Sequence, residues 1–161
     1  MQGDIIAAVL LAIPLLLVIF LRTNAALMFF VLAGAVTMQN YLDKDVQSFA
    51  SSLLNAKNSS LVALLLIVLP FLVAAIAFRH TVAKKSLLIH ILLSLGVGGA
   101  LLVVLPAYIS TDVVRAVEQS VIGEAVLPYA SLILSATFLA SVVVLWFSHP
   151  RHNAHHSKHS H

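Results

Sequence analysis

The chain contains no cysteine. That excludes disulfides, thiol catalysis and cysteine metal sites, and it says nothing about compartment. Charge is scarce: 9% of its 161 residues are Asp, Glu, Lys or Arg, against about 25% in a soluble domain. A water-facing surface cannot be built from so few charges. Where they are missing matters more, because none falls inside the long apolar runs of the sequence. Proton relays, ion-coupling sites and voltage sensors ordinarily keep an ionisable group within the membrane. Also missing are a phosphate loop, a nucleotide fingerprint, a nucleophile constellation and paired catalytic carboxylates. The sequence therefore points away from an enzyme and implies no cofactor and no nucleic-acid partner. Met1-Gln2-Gly3-Asp4 has no basic segment, and no small-x-small cleavage pattern follows the first apolar run. A retained helix is expected there, not a signal peptide.

What is present is hydrophobic: 61% of the residues, gathered into five runs at 5–21, 25–41, 61–78, 87–108 and 129–147. At 1.5 Å per residue, about 20 residues cross a ~30 Å hydrocarbon core. The last three runs fit that length. The first two are short and read either as thin spans or as a hairpin turned by Arg22-Thr23-Asn24. The expected fold is all-α: a polytopic transmembrane helical bundle of about five spans over residues 1–148, with the lipid bilayer as its first partner.

Two linkers have a different character. Over 42–57, Leu42, Val46, Phe49, Ala50, Leu53 and Leu54 recur at helical spacing, opposite Asp43, Lys44, Asp45, Gln47, Ser48, Ser51 and Ser52. Over 111–127, Val114, Val117, Val121, Ile122 and Ala125 oppose Arg115, Glu118, Gln119 and Glu124. Each predicts an amphipathic helix lying on the membrane surface or capping the bundle, with a gate or lateral lid as the sharper alternative. The layout span, amphipathic helix, span occurs twice, with Asp45-Val46 and Asp112-Val113 in similar places. A parallel internal duplication is one reading of that layout.

All six acidic residues (Asp4, Asp43, Asp45, Asp112, Glu118, Glu124) lie in the amino terminus and the two linkers. Six of the nine basic residues (Arg22, Arg79, Lys84, Lys85, Arg151, Lys158) lie in the short turns and the tail. With five spans these sets fall on opposite sides. The positive-inside rule then predicts an outer amino terminus and a cytoplasmic tail. Tyr41, Tyr108 and Tyr129 fall at predicted outer ends and Phe78, Trp146 and Phe147 at inner ends, as interfacial belts do.

Small residues cluster in two spans. The stretch 94–100 pairs Ser94 with Gly98 and Gly96 with Ala100 at i, i+4. The last span pairs Ser131 with Ser135, Ala136 with Ala140 and Thr137 with Ser141. Gly34 offers the same on a smaller scale. Such spacing lets helix backbones approach closely. Packing within the chain and self-association are both open. Pro14, Pro70 and Pro106 lie within spans, where proline is common and a kink is weak support for transport. His90, one turn inside the fourth span, reads as a structural histidine bonded to backbone or resting in headgroup water. The tail over 149–161 carries His149, His152, His155, His156, His159 and His161. It reads as a solvated, disordered extension; loose metal binding by His152, His155, His156 and His159 is the alternative.

Gly3-Asp4-Ile5-Ile6, an apolar run, Arg22, a second apolar run with Gly34 and the amphipathic stretch from Tyr41 to Leu54 together resemble the start of the colicin V production protein family. The resemblance covers residues 3–54. The family's turn usually carries glycines around its arginine, where this chain has Leu21-Arg22-Thr23-Asn24. It implies a small bacterial inner-membrane protein with a role in envelope processes or export and no established catalytic residues. Two functional classes follow: a scaffold or accessory subunit that packs with itself or with another membrane protein, and a small oligomeric permease or channel.

Overall fold

A computed structural model describes residues 2–54 and 59–148. The tail and its histidines lie outside the described residues. Among the described residues every regular element is helical. In chain order these are α1 (Gln2–Leu21), α2 (Ala25–Leu54), α3 (Ser59–Ala77), α4 (Leu87–Val104), α5 (Thr111–Glu118), α6 (Val121–Val126) and α7 (Ala130–Ser148). Short 3-10 turns occupy Lys84–Ser86, Leu105–Tyr108 and Leu127–Tyr129.

Three helical stretches are long and apolar enough to cross a membrane: Gln2–Leu21, Leu87–Tyr108 and Val121–Phe147. Ala25–Tyr41 and Val62–Ala77 are apolar but shorter.

The helix ends follow from local chemistry. Arg22 closes α1 in the left-handed region, at φ 50°. Asn24 then opens α2 as its N-cap: its Oδ1 accepts from the Ala26 N–H at 3.0 Å and the Leu27 N–H at 3.4 Å. Thus Arg22-Thr23-Asn24 makes a three-residue turn between α1 and α2. From Ala25 the helix runs without interruption to Leu54, 30 residues or about 45 Å. The expected separate amphipathic helix over 42–57 is therefore a continuation of α2. The reason lies in the sequence: no glycine or proline occurs from Ala35 to Leu54, so nothing stops propagation when the pattern changes from apolar to amphipathic.

The second linker differs in the opposite sense. The single helix expected over 111–127 is two short helices and a 3-10 turn. Ser110 caps α5, accepting from the Val113 N–H. Ser120 caps α6, accepting from the Gly123 N–H at 2.9 Å while its own hydroxyl donates to the Val117 carbonyl at 2.6 Å. A second serine N-cap restarts the helix and bends the chain there. The two linkers are thus built differently, and the repeated layout of the sequence does not extend to local structure.

Helix α4 lies at the centre, packed against α1, α2 and α7, and α3 packs against α2. Core side chains include Leu10 and Val18 of α1, Met28 and Leu32 of α2, Ile67 and Phe71 of α3, and Val97, Leu101 and Leu102 of α4. The molecule has two chemically distinct ends. At one, Asp4 accepts from the Val121 N–H at 2.9 Å, the Tyr108 hydroxyl donates to Asn40 at 3.1 Å, and α5 and α6 lie against α1. At the other, the Arg22 turn meets the turn that follows α3. Among the described side chains, the acidic ones belong to the first end. Arg22, Arg79 and Lys85 belong to the second.

Candidate functional site

The glycines of α4 serve two different neighbours. Gly98 faces α1: a Cβ there would sit 2.8 Å from the Leu11 carbonyl oxygen and 2.9 Å from Leu11 Cα. Gly96 and Gly99 face α7. A Cβ on Gly96 would collide with Thr137, and one on Gly99 would lie 2.9 Å from Ile133 Cγ2. Ser94, Gly98 and Ala100 are buried and Gly96 is half-buried. The sequence reading missed Gly99. Its signal was present as the i, i+3 partner of Gly96.

On α7 the small residues divide. Thr137 and Ser141 are buried, on one stripe with Ile133, and Thr137 and Ile133 stand against the glycines of α4. Ser131, Ser135, Ala136 and Ala140 are exposed. Gly34 of α2 is exposed as well, and a Cβ there would meet nothing within 4 Å. These five residues therefore lie at the surface of the bundle. A purely apolar helix gives no hydrophobic periodicity from which to choose a face, so spacing alone could not separate the inner stripe from the outer one.

A groove of about 570 Å³ lies between α2, α4 and α7, walled by Phe29, Leu32, Val36, Val104, Leu134 and Phe138. Thr37 and Ser135 also line it. The Thr37 hydroxyl donates to the Ala33 carbonyl at 2.8 Å, so the groove is almost wholly apolar in character. Phe30 and Phe138 meet edge to face across α2 and α7, with ring centroids 5.6 Å apart. Of the exposed small residues of α7, Ser135 lines this groove and Ala136 and Ala140 do not.

Buried polar groups are few. The Ser94 hydroxyl donates to the Ile91 carbonyl at 2.7 Å and Thr137 to the Ile133 carbonyl at 2.6 Å. Helix backbone thus absorbs them, which is how hydroxyls are tolerated at membrane depth. Gln39 Oε1, His90 Nδ1 and Ser141 Oγ have no hydrogen-bond partner. His90 is only 3% exposed, so it does not rest in headgroup water, and its Nδ1 makes no backbone bond. Among the described residues no three His, Asp or Glu side chains converge as a metal site. His152, His155, His156 and His159 lie outside the described residues. No known protein family, curated protein or solved structure matches the chain.

Proposed function

We propose that this chain is a non-enzymatic integral membrane protein that acts as a scaffold or accessory subunit, packing through the outer face of α2 and α7. Its neighbour is a second copy of itself or a partner membrane protein. One observation carries the reading. The small residues Gly34, Ser135, Ala136 and Ala140 are exposed on α2 and α7, with Ser135 lining an apolar groove, while a separate set of small residues already serves the interior. In lipid, apolar side chains gain little by meeting each other. Association depends on close backbone approach, which small residues permit. The proposed setting is a bacterial inner membrane, crossed five times, with the amino terminus outside and the tail in the cytoplasm. Its supports are the charge difference between the two ends, the positive-inside rule and the resemblance of residues 3–54 to colicin V production proteins. The short stretches Ala25–Tyr41 and Val62–Ala77 would then cross a locally thinned bilayer or lean on their neighbours.

Disulfide cross-linking in membranes tests the packing face, on a chain with no native cysteine to confuse it. Gly34→Cys and Ala136→Cys should give cross-linked dimers, and Ile76→Cys, exposed on α3, should not. Equal yields at all three positions would remove the reading. A small oligomeric permease is the second reading. In its favour are the buried, unpartnered atoms of Gln39, His90 and Ser141. Protein-dependent proton flux into liposomes that His90→Leu abolishes would promote it.

A further inference from the structure

We infer that the basic end of the molecule holds the phosphate of an anionic membrane lipid in the inner leaflet, between the α1–α2 turn and the turn after α3. Two turns meet there and are tied by backbone. The His80 N–H donates to the Leu21 carbonyl at 2.8 Å, and the Val82 N–H donates to the Arg22 carbonyl at 3.1 Å. Arg22 and His80 are also the two non-glycine residues with positive φ among the described residues, at 50° and 62°. Left-handed backbone at such residues persists only where its surroundings enforce it. Here Thr23 and Val82 lie buried beneath the two turns. The cations above them therefore stand on a fixed base, and an anion that binds need not order the backbone first.

The charge is one-sided. Arg22 is half-buried, and Arg79, His80 and Lys85 are exposed. No Asp or Glu occurs between Asp4 and Asp43 or between Asp45 and Asp112, so neither turn carries an acidic residue. Among the described residues the side chains of Arg22, Arg79, His80 and Lys85 make no hydrogen bond or ion pair. Guanidinium groups match phosphate oxygens with paired donors. Basic pockets between helices at the cytoplasmic side are suited to anionic headgroups.

Apolar surface beside the cations selects a lipid over a free anion. Phe20 is two residues before Arg22, Ile76 three before Arg79, and Leu88 three after Lys85, and all three are exposed. Each cation thus has an exposed apolar side chain within about one helical turn, toward the membrane. A lipid uses both surfaces, its phosphate on the cations and its chains along Phe20, Ile76 and Leu88. Inorganic phosphate uses only the first.

The inference rests on the membrane-embedded reading, and native mass spectrometry of the full chain in detergent tests it. Phosphatidylglycerol, phosphatidylcholine with the same chains, and inorganic phosphate are the three probes. Phosphatidylglycerol should remain bound at least about tenfold better than phosphatidylcholine. Arg79→Gln and Lys85→Gln, both at exposed positions that leave the turns intact, should each weaken it about fivefold, the effect of one basic residue near a charged surface. Arg22→Gln should do at least as much. Arg115→Gln, at the other end, should change nothing, and millimolar inorganic phosphate should not displace the lipid. Equal retention of the two lipids, an equal loss with Arg115→Gln, or displacement by inorganic phosphate would each overturn the inference. Failure of the chain to enter vesicles would remove the membrane reading with it. Insertion without lipid preference would remove this inference alone.

Discussion

The contact between Gly98 and α1 gives the sharpest test of the packing. In Gly98→Ala the new Cβ would lie 2.8 Å from the Leu11 carbonyl oxygen, 0.6 Å inside the 3.4 Å where ordinary contact begins (3.4 − 2.8). The obstructing atoms are backbone, so no side-chain rotation relieves them. Nor can α1 back away freely. Its amino end is tied to Val121 through Asp4, and the carbonyls of Leu21 and Arg22 are tied to His80 and Val82. Overpacking of this kind costs roughly 1–3 kcal/mol, and the better helix propensity of alanine returns at most about 1 kcal/mol. Gly34→Ala gains the same propensity and meets nothing within 4 Å. Gly99→Ala falls between them, because Ile133 Cγ2 can move. Thermal unfolding in detergent should therefore rank Gly34→Ala at or above wild type, then Gly99→Ala, then Gly98→Ala. The last should be lower by several degrees, at about 2–4 °C per kcal/mol. If Gly98→Ala melts with Gly34→Ala, α1 and α4 do not cross where the structure has them.

Three other outcomes follow from particular contacts. Ser120→Ala removes the α6 N-cap and the bond to the Val117 carbonyl, and should lower stability by about 1 kcal/mol, read as a shift in the same melting experiment. His90→Leu removes a buried ring whose Nδ1 has no partner, so its melting temperature should equal or exceed that of wild type; a large fall would mean that His90 makes a bond the structure lacks. For orientation, Gln119→Cys at an exposed position should react with an impermeant maleimide in intact cells, and Thr81→Cys should not. The reverse pattern inverts the proposed topology.

The parts of the fold that sequence reads well are those written in long runs. The helical stretches at 25–41 and 87–108 match the apolar segments because twenty or so uncharged residues have few other ways to satisfy their backbone. The linkers were harder. A change of pattern at Tyr41 looks like a new element, yet without a glycine or proline α2 simply continues. The reverse happened at Ser120, a capping residue set within a helix-period pattern that cuts one expected helix into two. Choosing faces was hardest. Gly98 stands against α1 and Thr137 against α4, while Ala136 and Ala140, with the same spacing, point outward. Only the neighbours decide that, and neighbours of an all-apolar helix leave no mark on its periodicity. The bonds from the His80 N–H to the Leu21 carbonyl and from the Val82 N–H to the Arg22 carbonyl join two turns distant in sequence through backbone alone, which no side-chain pattern records.

The central claim, that the outer face of α2 and α7 is an association surface, is tested most directly by counting copies of a fluorescently tagged chain in lipid by stepwise photobleaching. The wild type should bleach in two or more steps at dilutions where chance overlap is negligible. Ala136→Leu combined with Ala140→Leu, at exposed positions that leave the monomer's packing alone, should shift the population to single steps, since each small-residue contact in lipid is worth about 1 kcal/mol. A multi-step population unmoved by the double substitution would contradict it, and a wild type that bleaches in one step would remove self-association and leave only a different membrane protein as the neighbour on that face.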